Sequence, residues 1–315
     1  MNIPSNRTVL FAYSNVGVRG LAALLANRFD VRLVVTHEDN PQENIWYDSV
    51  AELAALNEIP VIKPDDANTQ AVVEQIRALE PDWLFSFYYR HLLCEQILNI
   101  PARGAFNLHG SLLPRFRGRA PTNWAVLKGE IETGASLHRM VLKPDAGALV
   151  DQQAVPILPN DTAEQVFQKV TCAAEMVLMR SLPRLCEDTA TEIPMDLQQG
   201  SYFGARRPEH GRIDWRQPAQ TIHNQIRAVA PPYPGAFFEI EAKRGKRFVI
   251  TGSYFRDLPA QGTGPRLYWQ TGKLWADCRD GKRLQLLGLI ADGNVMDENT
   301  FKRLFGPELQ MEFDD

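Results

Sequence analysis

The sequence predicts an α/β protein with a Rossmann-like, mostly parallel sheet covered by helices on both faces, and a smaller C-terminal antiparallel β-barrel of OB-like type. Its 315 residues exceed the usual size of one domain. Apolar strand segments alternate with helical segments over roughly the first 200 residues. Beyond that point the chain is richer in Arg, Pro and Gly and contains short, closely spaced strands. We therefore expect two domains, 1–200 and 201–315.

The first predicted domain is built from strands and helices in alternation. Each strand is a short apolar run, and each helix has apolar residues at helical spacing. Short connections between them are typical of a parallel sheet, in which ligands bind beyond the carboxyl ends of the strands. The predicted strands are 8–13, 31–36, 60–63, 83–88 and 105–108, and the predicted helices are 17–26, 47–57, 68–79 and 162–185.

The second predicted domain contains strands without intervening long helices. Their spacing and short connections favour a small antiparallel barrel or sandwich. The clearest strands are 235–241, 246–255, 272–280 and 283–290.

Charge and cysteine content narrow the function classes. With 34 Lys and Arg against 38 Asp and Glu, the net charge is −4, which gives no overall footprint for nucleic acid. The four cysteines show no CxxC spacing, so we expect reduced thiols and a cytoplasmic protein. No apolar run approaches the roughly 18 residues needed to span a bilayer, so membrane insertion is not expected.

The segment 106–121, FNLHGSLLPRFRGRAP, is the strongest candidate for chemistry. Asn107 and His109 are two residues apart on a predicted strand, so their side chains point to the same face. Gly110 permits a sharp turn or the close approach of a ligand. An amide can stabilise an oxyanion and an imidazole can carry protons near neutral pH, so the pair suits acyl-transfer chemistry.

Asp145 is the candidate partner of His109. It lies in a Pro-Asp-x-Gly turn that follows a predicted apolar strand, and the separation from His109 suits two neighbouring strand ends with a helix between them. A carboxylate in that place would hold the imidazole in one tautomer. Spacing alone leaves a structural interpretation open, because an Asn-x-His pair is common and an Asp in a turn often caps the backbone.

Arg115, Arg117 and Arg119 alternate in the same segment. At the ligand end of a sheet they could hold a phosphate or a carboxylate through bidentate hydrogen bonds. A solvated surface loop is an equal alternative.

Several common sites are disfavoured by the sequence. NAD binding is not expected, because Asn15 occupies the first glycine position of a GxGxxG motif that would continue with Gly17 and Gly20. The six histidines show no zinc-type spacing, so no metal is expected. Neither a GxSxG elbow nor a Walker loop occurs.

These motifs resemble the formyltransferases that use 10-formyltetrahydrofolate. The resemblance is carried by residues 106–114, by Arg117, Gly118, Ala120 and Pro121 after them, and by 144–147. The carboxyl half is similar to the second domain shared by methionyl-tRNA and sugar formyltransferases, at 213–215, 222–229 and 232–237. The resemblance therefore covers nearly the whole chain and implies a formyltransferase.

Further segments are more similar to formyltransferases acting on UDP-4-amino-4-deoxy-L-arabinose (UDP-L-Ara4N) in lipid A modification, such as the formyltransferase part of the bifunctional polymyxin-resistance enzyme. They are 11–13, 36–41, 85–92, 119–124 and 137–140. The acidic segment 37–44 would also repel a tRNA backbone.

The resemblance implies roles for individual residues. Asn107 would hold the oxyanion, His109 would exchange protons, and Asp145 would keep His109 oriented. The residues implied for the folate co-substrate are His91, Leu92, Leu93, Arg119, Val141, Leu142, Lys143, Pro144 and Asp145, and those for the nucleotide sugar are Arg115, Arg117 and Tyr233. Core packing is the alternative interpretation of residues 91–93.

The expected reaction is N-formylation of a nucleotide-linked amino sugar, with UDP-L-Ara4N as the favoured substrate. Alternatives left open are another TDP- or UDP-linked amino sugar of an O-antigen, methionyl-tRNA formylation, and a folate- or nucleotide-binding module without turnover. The sequence leaves a monomer and a homodimer equally open.

Overall fold

The computed structural model describes residues 6–240 and 246–311, and it confirms the predicted fold class. Residue 241, at the end of the predicted strand 235–241, and the acidic C-terminal residues 312–315 lie outside the described residues.

The strands are β1 (Arg7–Ala12), β2 (Asp30–Val35), β3 (Val61–Ile62), β4 (Trp83–Phe87), β5 (Gly104–His109), β6 (Arg117–Gly118), β7 (Glu132–Arg139), β8 (Leu149–Pro156), β9 (Tyr202–Phe203), β10 (Ala236–Ile240), β11 (Lys246–Pro259), β12 (Arg266–Gln270), β13 (Lys273–Asp277), β14 (Lys282–Ala291), β15 (Asn294–Val295) and β16 (Glu308–Gln310). The helices are α1 (Ser14–Ala26), α2 (Val50–Leu56), α3 (Gln70–Ala78), α4 (Glu95–Leu98), α5 (Pro121–Leu127), α6 (Ala163–Cys186), α7 (Ala219–Ala228) and α8 (Glu298–Phe305), with 3-10 turns at Leu197–Gln199 and Pro208–Gly211.

The chain divides into two compact units. The first comprises the described residues up to Pro121, Glu132–Val155 and Phe167–Gly204. The second comprises Thr122–Ile131, Pro156–Val166 and the described residues from Ala205 onwards.

A seven-stranded sheet forms the centre of the first unit, in the order β3-β2-β1-β4-β5-β7-β8. The pairs from β3 to β5 are parallel, whereas β7 runs antiparallel to β5. Val9 and Phe11 alternate with Leu10 along β1, so this strand supplies apolar side chains to both faces and all three are fully buried.

Helices cover both faces of this sheet. Residues of α3 and α4 share a hydrophobic core with one face, which includes Val9, Phe11 and Leu84. Helix α1 packs on the other face, where Gly20 meets the ring of Phe87 so closely that a Cβ would lie 2.2 Å from it. The small residue therefore sets the distance between α1 and β4.

The second unit is an antiparallel sheet in the order β10-β11-β14-β13-β12-β16, with β15 paired to β14. It forms a half-barrel around a core to which α7 and α8 contribute Ile222, Ile226 and Phe301. None of the described helices is both long and apolar enough to cross a membrane.

Candidate active site

Strand β5 carries two of the predicted catalytic residues. Asn107 and His109 lie on the same face of the strand, and only 7% of His109 is exposed. A Cβ on the following residue, Gly110, would lie 1.8 Å from the hydroxyl of Tyr88. Glycine at this position therefore leaves room for the side chain of Tyr88.

Asp145 reaches the same place from the loop after β7. Because β7 is antiparallel to β5, its carboxyl end lies beside Phe106, and the loop must fold back for Asp145 to meet His109. The backbone of Asp145 has a φ of 51°, a left-handed conformation that Asp tolerates better than most residues. The sequence predicted two neighbouring strand ends with a helix between them, and α5 is that helix. The structure adds that β7 runs antiparallel to β5 and that the loop after β7 folds back toward His109.

The carboxylate of Asp145 lies close to four groups, of which His138 Nε2, 3.6 Å from Oδ1, is the most distant. Its Oδ1 lies 3.5 Å from His109 Nδ1 and 3.4 Å from Asn107 Nδ2. Its Oδ2 accepts a 2.8 Å hydrogen bond from the backbone N–H of Gly118. Gly118 has a φ of 95°, and a Cβ there would lie 2.2 Å from the carbonyl oxygen of Phe203, so this contact requires glycine.

Burial alone would raise the pKa of Asp145. The adjacent imidazole of His109 acts most strongly in the opposite direction, followed by the imidazole of His138 and the hydrogen bond from Gly118, and together they outweigh burial. The pKa of Asp145 therefore lies well below its usual range, and the carboxylate is ionised at neutral pH.

Both ring nitrogens of His109 face oxygen acceptors. Nε2 donates to the carbonyl oxygen of Phe116 at 2.8 Å, and Nδ1 faces the carboxylate of Asp145. These two contacts fix the plane of the ring. A ring held in this way between an ionised carboxylate and a neutral acceptor is suited to gain and release a proton.

A fourth side chain, His138, meets the same cluster. It lies directly opposite Asn107 in the β5–β7 register, and its Nε2 lies 3.0 Å from Asn107 Nδ2. Sequence reasoning gave His138 no role. The missing signal was the pairing of β5 with β7, because nothing in the local pattern shows which residues face each other across two strands.

The segment that contains Arg115, Arg117 and Arg119 is paired with β9, near the last residue of the first unit. β6 pairs in parallel with β9, and the backbone N–H of Arg119 donates to Phe203 at 2.9 Å. Arg117 is buried, and its Nε has no hydrogen-bond partner among the described residues. Arg115 is partly buried with its guanidinium 5.6 Å from the ring of Phe116, and Arg119 is exposed.

The predicted folate residues differ in exposure. Leu92 is 69% exposed, whereas Leu93 is buried in the hydrophobic core beside the sheet. His91 and Lys143 are exposed and Pro144 is partly buried. Val141 and Leu142 are exposed large apolar residues, and the preceding Met140 packs against the core that contains Leu93. The segments 91–93 and 140–143 are thus anchored in one core while presenting apolar side chains to solvent.

Tyr233 lies in the second unit. Burial raises its pKa to about 12, while a hydrogen bond to Asn123 acts in the opposite direction. It belongs to a different unit from Asn107, His109 and Asp145, and its role in binding the nucleotide sugar stays a prediction.

A second cluster beyond the carboxyl ends of β1 and β2 was not predicted as a unit. Arg90 donates to Glu43 at 3.0 and 2.8 Å, and its guanidinium lies 4.5 Å from the centre of the Tyr13 ring. The hydroxyl of Tyr13 donates to Asp39 at 2.7 Å. Burial, followed by the neighbouring His91 and Arg90, lowers the pKa of His37 to about 4. These contacts hold the acidic segment 37–44 against the chain.

No group of three His, Cys, Asp or Glu side chains within residues 6–240 and 246–311 is placed to hold a metal ion.

Comparison with solved structures gives relatives of the same fold. An N-formyltransferase from Helicobacter canadensis, in complex with folinic acid and dTDP-3-aminofucose, is 22% identical with a TM-score of 0.69, over 89% of this chain and 98% of that one. WlaRD, a sugar 3N-formyl transferase determined in the presence of dTDP and 5-N-formyl-THF, is 20% identical with a TM-score of 0.70, over 91% and 98%. A 4-N formyltransferase from Francisella tularensis is 19% identical with a TM-score of 0.61, over 76% and 94%.

Comparison with family models is decisive for the family. Residues 11–182 match the model described as formyl transferase, and residues 206–305 match the formyl transferase C-terminal domain. Together the two matches span both units of the chain. The chain therefore belongs to the formyl transferase family and is a formyltransferase.

Proposed function

We propose that this enzyme transfers the formyl group of 10-formyltetrahydrofolate to the amine of a nucleotide-linked amino sugar, with UDP-L-Ara4N as its substrate. The observation that carries the proposal is the convergence of Asn107, His109 and Asp145. All three belong to the proposed catalytic domain, residues 1–200, and 201–315 form the proposed C-terminal domain.

The reaction needs an oxyanion to be held. The amine lone pair attacks the formyl carbon, a C–N bond forms, and the carbonyl oxygen becomes negative. Asn107 Nδ2 donates a hydrogen bond to that oxygen, a contribution of about 2.7–4 kcal/mol in comparable sites.

The reaction also needs proton transfer. His109 takes a proton from the attacking nitrogen and gives one to N10 of the folate as the bond from the formyl carbon to N10 breaks, so the products are a formamide and tetrahydrofolate. Nδ1 faces Asp145, so Nε2, which carries the proton donated to the carbonyl oxygen of Phe116, gives that proton to N10 and takes its replacement from the attacking nitrogen. Asp145 remains ionised and holds the ring throughout.

The surrounding residues fit a folate and a diphosphate. The exposed apolar side chains of Leu92, Val141 and Leu142 offer a surface for the pterin and its aromatic extension. The unpaired Nε of buried Arg117 favours an anionic group nearby, because a guanidinium nitrogen without an acceptor is costly to bury. Arg115 and Arg119 would serve the same diphosphate or the folate glutamate.

The amino-sugar substrate is favoured over tRNA by charge. Asp39 and Glu43 are held in place by Tyr13 and Arg90, so the segment beyond β2 presents fixed acidic groups. A phosphate backbone would be repelled there. The relatives crystallised with dTDP or dTDP-3-aminofucose make a TDP-linked sugar the natural competitor for UDP-L-Ara4N.

The test is a direct assay of formyl transfer. The purified protein is incubated with 10-formyltetrahydrofolate and, separately, UDP-L-Ara4N, TDP-linked amino sugars and charged initiator tRNA, while the folate absorbance and the product mass are followed. We expect a mass gain of one formyl group on UDP-L-Ara4N. Turnover confined to a TDP sugar or to tRNA would retain the chemistry and refute the substrate, and no turnover with any amine would refute the proposed function.

A further inference from the structure

His138 is a buried histidine that the proposed mechanism does not use. It lies on β7 directly opposite Asn107, and only 2% of it is exposed. Side chains directly opposite in an antiparallel pair have Cβ atoms about 4.5–5.5 Å apart, so the two residues necessarily interact.

The hydrogen bonds of His138 identify its tautomer. Nδ1 lies 2.9 Å from the carbonyl oxygen of Arg139, which can only accept, so Nδ1 carries a proton. Nε2 lies 3.0 Å from Asn107 Nδ2, which can only donate, so Nε2 accepts. The orientation of the Asn107 amide follows from the same network, because Nδ2 also faces the acceptor-only carboxylate of Asp145.

We propose that His138 is a positioning residue that fixes the amide of Asn107 so that one N–H remains directed at the oxyanion. The inference rests on the proposed function. One N–H of Asn107 is committed to His138 at 3.0 Å, whereas the contact with Asp145 is longer, at 3.4 Å. The longer bond is the weaker one, and an oxyanion can replace it.

Without this acceptor only the longer contact with Asp145, which the oxyanion displaces, would oppose rotation of the amide. A 180° rotation about the Cβ–Cγ bond of Asn107 exchanges the positions of its amide oxygen and nitrogen. The amide would then present its oxygen, an acceptor, to the developing negative charge. His138 Nε2 opposes that rotation, because it would face the amide oxygen with its own lone pair. Preorganised donors of this kind act without reorganisation during the reaction.

A direct role for His138 in proton transfer does not fit the geometry. Nε2 lies 3.6 Å from Asp145 Oδ1, beyond hydrogen-bond distance, and its lone pair is directed at Asn107. Nδ1 donates to the backbone carbonyl oxygen of Arg139. The ring therefore acts through Asn107.

Two substitutions test the roles of the two ring nitrogens of His138 separately. The end of a glutamine side chain lies near the place of Nε2, so His138→Gln keeps an acceptor for Asn107. The end of an asparagine lies near the place of Nδ1, so His138→Asn keeps a donor for Arg139 and removes that acceptor. We expect H138Q to retain kcat within about fivefold, and H138N to lose at least about thirtyfold in kcat with both KM values within about threefold.

Thermal unfolding of both variants provides the structural control. A purely structural His138 would make the rate follow stability in both variants, and equal losses in H138Q and H138N would overturn the proposal, as would an H138N variant with wild-type kcat. A separate readout needs no substrate: ¹⁵N NMR of the free protein should show Nδ1 protonated and Nε2 bare. A proton on Nε2 overturns the inference even if no amine is formylated, whereas wild-type inactivity alone counts against the proposed function only.

Discussion

Asp145 holds two parts of the candidate site with one carboxylate. Oδ2 is bound to the backbone of Gly118, and Oδ1 faces both His109 and Asn107. The carboxylate of Asp145 therefore supplies a negative charge and also fixes the positions of the groups around it. An isosteric substitution that removes only the charge tests the two effects separately. The amide of Asn has the shape of the carboxylate without its charge.

We predict that Asp145→Asn and His109→Gln each lower kcat at least about a hundredfold, the usual contribution of a positioned acid-base group. In D145N the acceptor for Gly118 is retained, so we expect the fold to persist and the loss to fall on turnover. Initial rates and thermal unfolding measured together test this. Asp188→Asn, at a carboxylate that is 84% exposed, is the matched control and should retain the wild-type rate.

Near-normal turnover in D145N would show that the charge of Asp145 is dispensable. Near-normal turnover in H109Q would remove His109 from the proton transfers.

At the residue scale, sequence reasoning predicts what is local. The two-residue spacing of Asn107 and His109 predicts a shared face because strand periodicity is local. His138 could not be predicted in the same way, because its relation to Asn107 depends on a strand pairing between distant segments. Exposure is equally non-local: Leu92 and Leu93 are adjacent and similar in type, yet one faces solvent and the other the core.

Helix α7 buries polar side chains on the face that packs in the second unit. His223 is fully buried, with Nδ1 accepting from the hydroxyl of Ser253 at 2.8 Å and Nε2 donating to the carbonyl of Pro159 at 3.0 Å. Arg227 donates to Asn224 at 2.9 Å. Burial lowers the pKa of His223 to about 4, with a smaller contribution from the nearby charge of Arg227.

We predict that His223 makes the protein less stable as the pH falls. Below about 6.5 the unfolded chain binds a proton on this ring, whereas the folded chain does not until about pH 4, so the free energy of unfolding decreases through that range. The expected loss is about 2 kcal/mol between about pH 7.5 and pH 5. Chemical unfolding of wild type and His223→Gln at a series of pH values measures it.

H223Q should have a lower free energy of unfolding than wild type at neutral pH, and that free energy should change less with pH. His210→Gln, at an exposed histidine, is the control and should follow the wild-type curve. Parallel curves for wild type and H223Q would contradict the assignment.

At the element scale, the long apolar strands and the amphipathic helices follow from the sequence. The bounds of α6, Ala163–Cys186, agree closely with the predicted 162–185 because its helical periodicity extends over many turns. β6 and β9 have two residues each and therefore no periodicity to detect. The strand predicted before the Pro-Asp-x-Gly turn was placed on the apolar run 140–142, whereas β7 ends at Arg139, because ETGASLHR itself lacks an uninterrupted apolar run.

On the scale of the whole chain, charge separates small substrates from nucleic acid. The net charge is −4, so association with a polyanion would have to rely on local basic groups. The division into a parallel and an antiparallel part was predicted because alternation and composition extend over many residues. The sequence did not predict which segments form each unit, because Thr122–Ile131 and Pro156–Val166 join the second unit from within the predicted first domain, 1–200.

We predict that kcat/KM for the nucleotide sugar changes less than about tenfold between about 50 and 300 mM salt. A protein that neutralises six to ten phosphates of a nucleic acid loses about 10³–10⁵ in affinity between 50 and 200 mM. Rate measurements across this range, with an uncharged viscosity-matched osmolyte as the control, distinguish the two cases. A fall of about 10³ or more for the nucleotide sugar would contradict the prediction.

The short β6–β9 pair limits how the protein can be shortened for expression. Gly118 orients Asp145, and its own strand is held by Tyr202 and Phe203, at the far end of the first unit. A truncation ending at residue 200 would remove both partners of β6 while leaving Asn107, His109 and Asp145 in the chain. Such a fragment would contain every proposed catalytic residue yet lack the strand that helps to align them, so inactivity would say little about the C-terminal unit unless a fragment reaching Gly204 were compared with it.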